Sequence, residues 1–195
     1  STELANGTSP GVLAVVNFGA GYAQDSFSAL KKFEPGKPLM SGEYWDGWYD
    51  QWGRPYVVKD QKEIAQEYEW MLNQGYSVNL YMFNGGTSFG FMNGANSKTG
   101  NYYPDVTSYD YDAPLDESGR PTPLYYVLRK IIARHDKKIG APPPPPVPHT
   151  PPTISIPQFP LTESVSLWKT LPRPKTLTQP LPMEMLGQSY GYILY

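Results

Sequence analysis

At 195 residues and a net charge of −2, the chain can hold one medium domain, or one domain with part of another, and its Lys and Arg residues form no stripe suited to nucleic acid or an anionic membrane surface. The lack of cysteine excludes disulfides, thiolate metal sites and a cysteine nucleophile. With His135 and His149 as the only histidines, the sequence argues against a His-rich metal site and a Ser-His-Asp triad.

From Gly11 to Asp136 the sequence alternates three times between strand and helix patterns. Val12 to Phe18 is a nearly continuous apolar run, as expected of a parallel strand covered on both faces. Gly19 and Gly21 open a loop, and Asp25 is the expected N-cap of a short helix that buries Phe27 and Leu30. The second strand is predicted over Pro38–Gly42. A long aromatic loop follows it, then a helix capped by Asp60, with Glu63 completing a capping box. Ile64, Tyr68, Met71 and Leu72 fall at helical spacing, and Gly75 ends that helix.

The third strand is predicted over Ser77–Phe83, and a long loop from Asn84 to Arg120 follows. A loop of that length is either functional or disordered, and Tyr102, Tyr103, Tyr109 and Tyr111 favour an ordered, site-forming segment. The last helix starts near Pro121 and buries Leu124, Val127, Leu128, Ile131 and Ile132. Three successive βα units imply a parallel sheet with helices outside it and functional loops at the carboxyl ends of the strands.

After Gly140 the character changes. Pro142 to Pro146 form an unbroken proline run, read as an extended linker over residues 141–160. Residues 161–195 read as the start of a β-rich domain ending in the strand-like Ser189–Tyr195. Three βα units cannot close a barrel and the last strand has no partner, so a fragment of a larger protein is expected. No apolar run approaches the ~18 residues of a membrane-spanning helix, and the polar N-terminus does not read as a signal peptide. Asn6-Gly7-Thr8 fits a glycosylation triplet, a pattern that also arises by chance.

The stretch carrying most chemistry is Pro38-Leu39-Met40-Ser41-Gly42-Glu43-Tyr44-Trp45-Asp46-Gly47-Trp48. An apolar strand delivering one Glu into an aromatic rim suits a sugar-cleaving site: the rings offer flat apolar faces, and the carboxylate can meet the anomeric carbon. A Glu after a strand is also commonly a solvated loop acid, and this segment alone leaves both readings open. Asp110 and Asp112 could serve as a second carboxylate or a calcium pair, but Asp between tyrosines in a turn is expected to bind its own backbone.

Three segments together resemble glycoside hydrolase family 35, the β-galactosidases. They are Ser41–Trp48 with Asp50 and Trp52-Gly53; Val78–Thr87 with Phe89 and Asn93–Asn96; and Thr107–Leu115. The resemblance implies the C-terminal three βα units of a (β/α)8 barrel over residues 1–140. Their strands would be the sixth, seventh and eighth. It also implies a retaining enzyme with Glu43 as nucleophile, Tyr81, Tyr111, Trp48 and Trp45 against the substrate, and no metal or organic cofactor. Trp45 stands where some relatives carry tyrosine. The family's acid/base Glu sits in an Asn-Glu pair, and no such dipeptide occurs in this chain. The implied partners are a β-galactoside and the rest of the same polypeptide or barrel, with no nucleic acid and no membrane. The implied compartment is secreted, periplasmic or lysosome-like rather than cytoplasmic. Two rivals remain: a galactose-binding or scaffold protein without catalysis, and a related barrel glycosidase acting on another sugar.

Overall fold

Three parallel strands and the helices that cover one of their faces organise the chain. In a computed structural model, which describes residues 4–147 and 149–185, β1 (Val16–Gly19), β2 (Met40–Trp45) and β3 (Ser77–Tyr81) pair in the order β1-β2-β3. The connections are α1 (Ala23–Phe33) and α2 (Gln61–Asn73), and α3 (Pro123–Ile139) follows the last loop. Val16 and Phe18 of β1, Tyr44 of β2, Phe27 and Leu30 of α1, Ile64, Tyr68 and Met71 of α2, and Leu124, Leu128 and Ile131 of α3 form one core. Asn17 and Asn79, which alternate with core residues along their strands, are exposed on the opposite face, and Glu43 pairs in register with Asn17.

Several element boundaries differ from the sequence expectation. β1 begins at Val16 rather than Val12; Val12, Leu13 and Val15 are exposed, because β1 is the sheet edge and nothing pairs with the segment before it. β2 runs past Gly42 to Trp45, so Glu43 lies within the strand and not after it. Gly42 is the extra residue of a bulge: Ser41 and Tyr44 pair with Val78 and Leu80, one residue closer together on β3. The bulge leaves Ser41 and Tyr44 both buried and turns Glu43 to the open face. Asn79 donates from Nδ2 to the Gly42 carbonyl at 3.0 Å, satisfying the acceptor that the bulge frees. β3 stops at Tyr81, short of Phe83.

The helix ends separate two capping solutions. Asp60 caps α2 as expected, accepting from the amides of Lys62 and Glu63 at 2.8 and 3.3 Å. Asp25 does not cap α1; it lies in the first turn, and Tyr22 holds the cap position without a side-chain bond. The carboxylate of Glu67 on α2 replaces it, accepting from Gly21 N at 3.1 Å and Ala23 N at 2.9 Å, and it also receives the Tyr44 hydroxyl at 3.0 Å. α3 starts with Pro123, two residues later than expected, and Val127 is exposed rather than buried.

The loop after β3 contains an antiparallel hairpin, β4 (Ala95–Lys98) and β5 (Asn101–Pro104), which its polar, glycine-flanked sequence did not announce. The proline run after Gly140 forms neither helix nor strand, and Arg129 of α3 donates to the Pro144 carbonyl at 3.1 Å. The chain divides into two compact units, Ser1–Pro151 and Pro152–Tyr195. The described residues of the second unit hold no strand, only 3-10 turns at Leu167–Lys169 and Met183–Met185 with exposed apolar side chains such as Ile154, Phe159, Leu161 and Trp168. Prolines between its short apolar pieces remove the donors a strand ladder needs. The expected strand Ser189–Tyr195 lies outside the described residues.

Candidate active site

Glu43 stands at the carboxyl-terminal half of β2, on the face that no helix covers. Its Oε2 accepts a 2.9 Å hydrogen bond from the Trp45 indole Nε1, which fixes one oxygen and leaves the other outside that bond. Trp45 packs edge-on against Trp48 with centroids 5.3 Å apart, and Trp48 lies 6.2 Å from Tyr111. Tyr81, at the end of β3, meets Tyr111 edge-on at 5.8 Å. The structure thus brings all five sequence-predicted residues together: Glu43, Trp45, Trp48, Tyr81 and Tyr111.

Two more tyrosines complete this wall, and sequence reasoning did not select them. Tyr49 stacks on Trp48 at 4.9 Å and on Tyr109 at 6.0 Å, and Tyr109 lies 5.5 Å from Tyr111. Tyr109 shares the Tyr-Asp-Tyr run with Tyr111, which was a usable signal. Burial, then a hydrogen bond with Tyr81, raises the Tyr109 hydroxyl above the usual tyrosine range. Tyr111 is only 2% exposed, so its ring backs the wall rather than lining open space. Burial is the main cause of its raised pKa, with smaller contributions from Tyr109, Asp46, Tyr81 and the Glu43 charge. The peptide bond between Tyr81 and Met82 is cis.

The turn that carries Tyr109 and Tyr111 is seated by two glycines. A Cβ on Gly47 would fall 1.6 Å from the Tyr111 carbonyl oxygen, and one on Gly85 would fall 1.6 Å from the Tyr109 carbonyl oxygen. Backbone therefore packs on backbone at both places, sealed by Trp48 N to Tyr111 O at 3.1 Å and Tyr109 N to Gly86 O at 2.9 Å. Tyr111 and Asp112 both adopt left-handed φ, 67° and 54°, a costly conformation for side-chain-bearing residues that these contacts hold in place.

Carboxylates tie the loop after β2 to the loop after β3. Asp110 accepts from its own turn, Asp112 N at 2.9 Å, and from the Tyr56 hydroxyl at 2.7 and 2.9 Å. Asp112 binds the Lys59 amide at 3.1 Å rather than its own backbone, which corrects half of the expectation for this pair. Asp50 accepts from Val57 N at 2.8 Å, while Val106 N donates to the Asp50 carbonyl and Trp52 N to that of Pro104, at 3.1 and 2.9 Å. Tyr49 donates to Asn96 of the hairpin at 2.9 Å. Among the described residues no group of three His, Cys, Asp or Glu is arranged to hold a metal, and no helix is long and apolar enough to cross a membrane.

With the carboxylate, its indole donor and the aromatic wall in place, comparison with known proteins decides the family. Residues 1–135 match glycosyl hydrolases family 35. The chain belongs to that family. It is 53% identical over 195 residues to a β-galactosidase of Xanthomonas manihotis, covering 98% of this chain and 32% of that protein. Human β-galactosidase-1-like protein 3 is 41% identical over 202 residues, covering 99% of this chain and 30% of the relative. Human β-galactosidase is 37% identical over 200 residues, covering 100% of this chain and 28% of the relative. The chain spans somewhat under a third of the length of these curated relatives.

Proposed function

We propose that this family 35 chain is the C-terminal part of the (β/α)8 catalytic barrel of a retaining β-galactosidase, which removes terminal non-reducing β-D-galactosyl residues by double displacement. The observation that carries the proposal is Glu43 itself. A bulge turns it to the open face of a parallel sheet, Trp45 holds one oxygen at 2.9 Å, Trp48 packs on Trp45, and Tyr81 pairs with Trp45 at the end of the next strand. In a closed barrel that face is the interior, and the carboxyl ends of its strands form the site.

In this reading the free oxygen of ionised Glu43 attacks C1 of the galactosyl unit from the face opposite the leaving group. The C1–O bond to the aglycone breaks, and its oxygen takes a proton from a second carboxylic acid. Water, deprotonated by that same group, then cleaves the galactosyl–Glu43 ester and restores the β configuration. The two carboxyl groups of a retaining site stand about 5–5.5 Å apart. The Asn-Glu pair that would supply the second is absent from this chain, so the proposal assigns that role to the part of the relatives' length the chain does not span. Trp45 orients the nucleophile, Trp48 gives the sugar an apolar wall, the Tyr81 hydroxyl reaches the nucleophile or the sugar, and Tyr111 holds these rings in position. No cofactor enters the scheme.

The test is hydrolysis of a chromogenic β-galactoside by the full-length protein and by its Glu43→Gln variant. The expected result is turnover in the parent and a loss of about 10³-fold or more in the variant, in line with removal of a covalent nucleophile. Near-parental turnover in the variant would remove Glu43 from the mechanism.

A further inference from the structure

Asp46 is one residue beyond β2, between two positions on which the site depends. On one side Trp45 donates to Glu43; on the other Gly47 packs against the Tyr111 carbonyl. The Asp46 side chain is 0% exposed, and neither carboxyl oxygen is hydrogen-bonded to another residue. Its electrostatic neighbours are Tyr44 on its own strand, Tyr68 on α2, and Tyr111 and Asp112 in the loop after β3. None is a cation, and Asp112 carries the same sign of charge. Its own backbone amide is the one group that favours the ionised form. A carboxylate cannot be kept charged in such a place without severe cost, whereas a neutral acid can fill it as a small polar wedge.

We infer that Asp46 is a positioning residue that works as a buried neutral carboxylic acid, and that its ionisation releases the Tyr111 turn from the end of β2 and disables the site on the alkaline side. The inference deepens the galactosidase reading and rests on it. Burial, reinforced more weakly by Asp112, pushes the Asp46 pKa up to about 8, which puts the change within the range where the protein can be assayed. The link to the site is covalent: Asp46 lies between Trp45, which donates to Glu43, and Gly47, which packs on the Tyr111 carbonyl, so a carboxylate that moves toward water pulls on both. Trp48, whose amide binds Tyr111 O at 3.1 Å, then reports the movement.

The experiment uses the full-length protein in two arms. The first is the pH profile of kcat/KM on a chromogenic β-galactoside. The second is intrinsic tryptophan fluorescence titrated over the same pH range without substrate. The parent should show an alkaline activity limb and a fluorescence transition with a common midpoint near 8. Asp46→Asn, which is neutral at every pH, should lose the transition and move the limb upward by about one pH unit or more. Asp112→Asn removes the like charge, so it should move both midpoints downward; it keeps the proposal testable if the Asp46 variant does not fold. A fluorescence transition unchanged in Asp46→Asn, or an alkaline limb that neither variant moves, overturns the proposal. An inactive parent that still shows the Asp46-dependent transition overturns the galactosidase reading and, with it, the catalytic consequence assigned to Asp46.

Discussion

Adding one methyl group at Gly47 should disable the site without removing any functional side chain. The new Cβ would lie 1.6 Å from the Tyr111 carbonyl oxygen, 2.8 Å from its carbon and 2.9 Å from the ring Cδ1. Ordinary contact requires roughly 3.5 Å, so the Tyr111 turn must retreat by about 2 Å. That movement breaks the 3.1 Å bond from Trp48 N and pulls the Tyr111 ring from its place 5.8 Å from Tyr81 and 6.2 Å from Trp48. A misplacement of 1 Å in a positioned group costs on the order of 10² in rate, so a fall in kcat/KM of about 10²–10⁴ is expected for Gly47→Ala in the full-length protein. The overpacking itself should cost about 1–3 kcal/mol of stability, read from the thermal midpoint. Gly36→Ala is the control: its φ of +78° disfavours alanine, but nothing lies within 4 Å of the added atom. The control should lose a little stability and no activity. Parental kcat/KM in Gly47→Ala, with the control behaving as described, would refute the claim that the Tyr111 turn positions the site.

Three further outcomes follow from the same geometry. Trp45→Phe keeps an aromatic ring but removes the 2.9 Å donor to Glu43. A hydrogen bond to a charged group contributes about 1.5–3 kcal/mol, so turnover should fall by roughly 10–100-fold with KM little changed. Glu67→Ala removes the acceptor shared by Gly21 N, Ala23 N and the Tyr44 hydroxyl, and should lower stability by about 2–3 kcal/mol in chemical denaturation. Asp46 sets a pH dependence of stability. Its folded pKa of about 8 exceeds its ordinary 3.8, so between these values the folded chain holds a proton that the unfolded chain releases. Stability should therefore fall as pH rises through that window, by about 1.4 kcal/mol per pH unit at most, and level off above it. Asp46→Asn should flatten this part of the stability profile; an unchanged slope would show that Asp46 is ionised in the folded protein.

Much of the α/β unit was legible because local and long-range signals agreed. Asp60 with Ile64, Tyr68 and Met71 announced α2 through a cap and a 3.6-residue period, and both survive in the structure. The errors fall where tertiary contacts outweigh local chemistry. Asp25 looked like a cap, but Glu67, forty-two residues further along, reaches the α1 amides first. Gly42 looked like the end of a strand; pairing on both sides carries β2 through it and makes it a bulge. The hairpin β4–β5 is exposed along β4, so it lacks the apolar alternation that reveals a strand.

The site was legible in outline for a different reason. Glu43, Trp45 and Trp48 are neighbours in sequence, while Tyr81 and Tyr111 were chosen by resemblance and then found within 5.8 Å of each other. What the sequence could not convey was depth: Tyr111 is a backing ring, Tyr49 and Tyr109 extend the wall, and Asp46 is a buried acid hydrogen-bonded to no other residue. Burial and unmet hydrogen bonds are properties of the folded surface. A carboxylate in a loop reads the same in sequence whether it is solvated or enclosed.

The most direct test of the account is to trap the covalent intermediate. The full-length protein is incubated with a 2-deoxy-2-fluoro-β-galactoside bearing a good leaving group, digested, and its peptides are mapped by mass spectrometry. The account predicts stoichiometric inactivation with the fluorogalactosyl mass on the peptide containing Glu43, and no label in Glu43→Gln. Label on any other carboxylate, or steady hydrolysis of β-galactosides without label at Glu43, would contradict it.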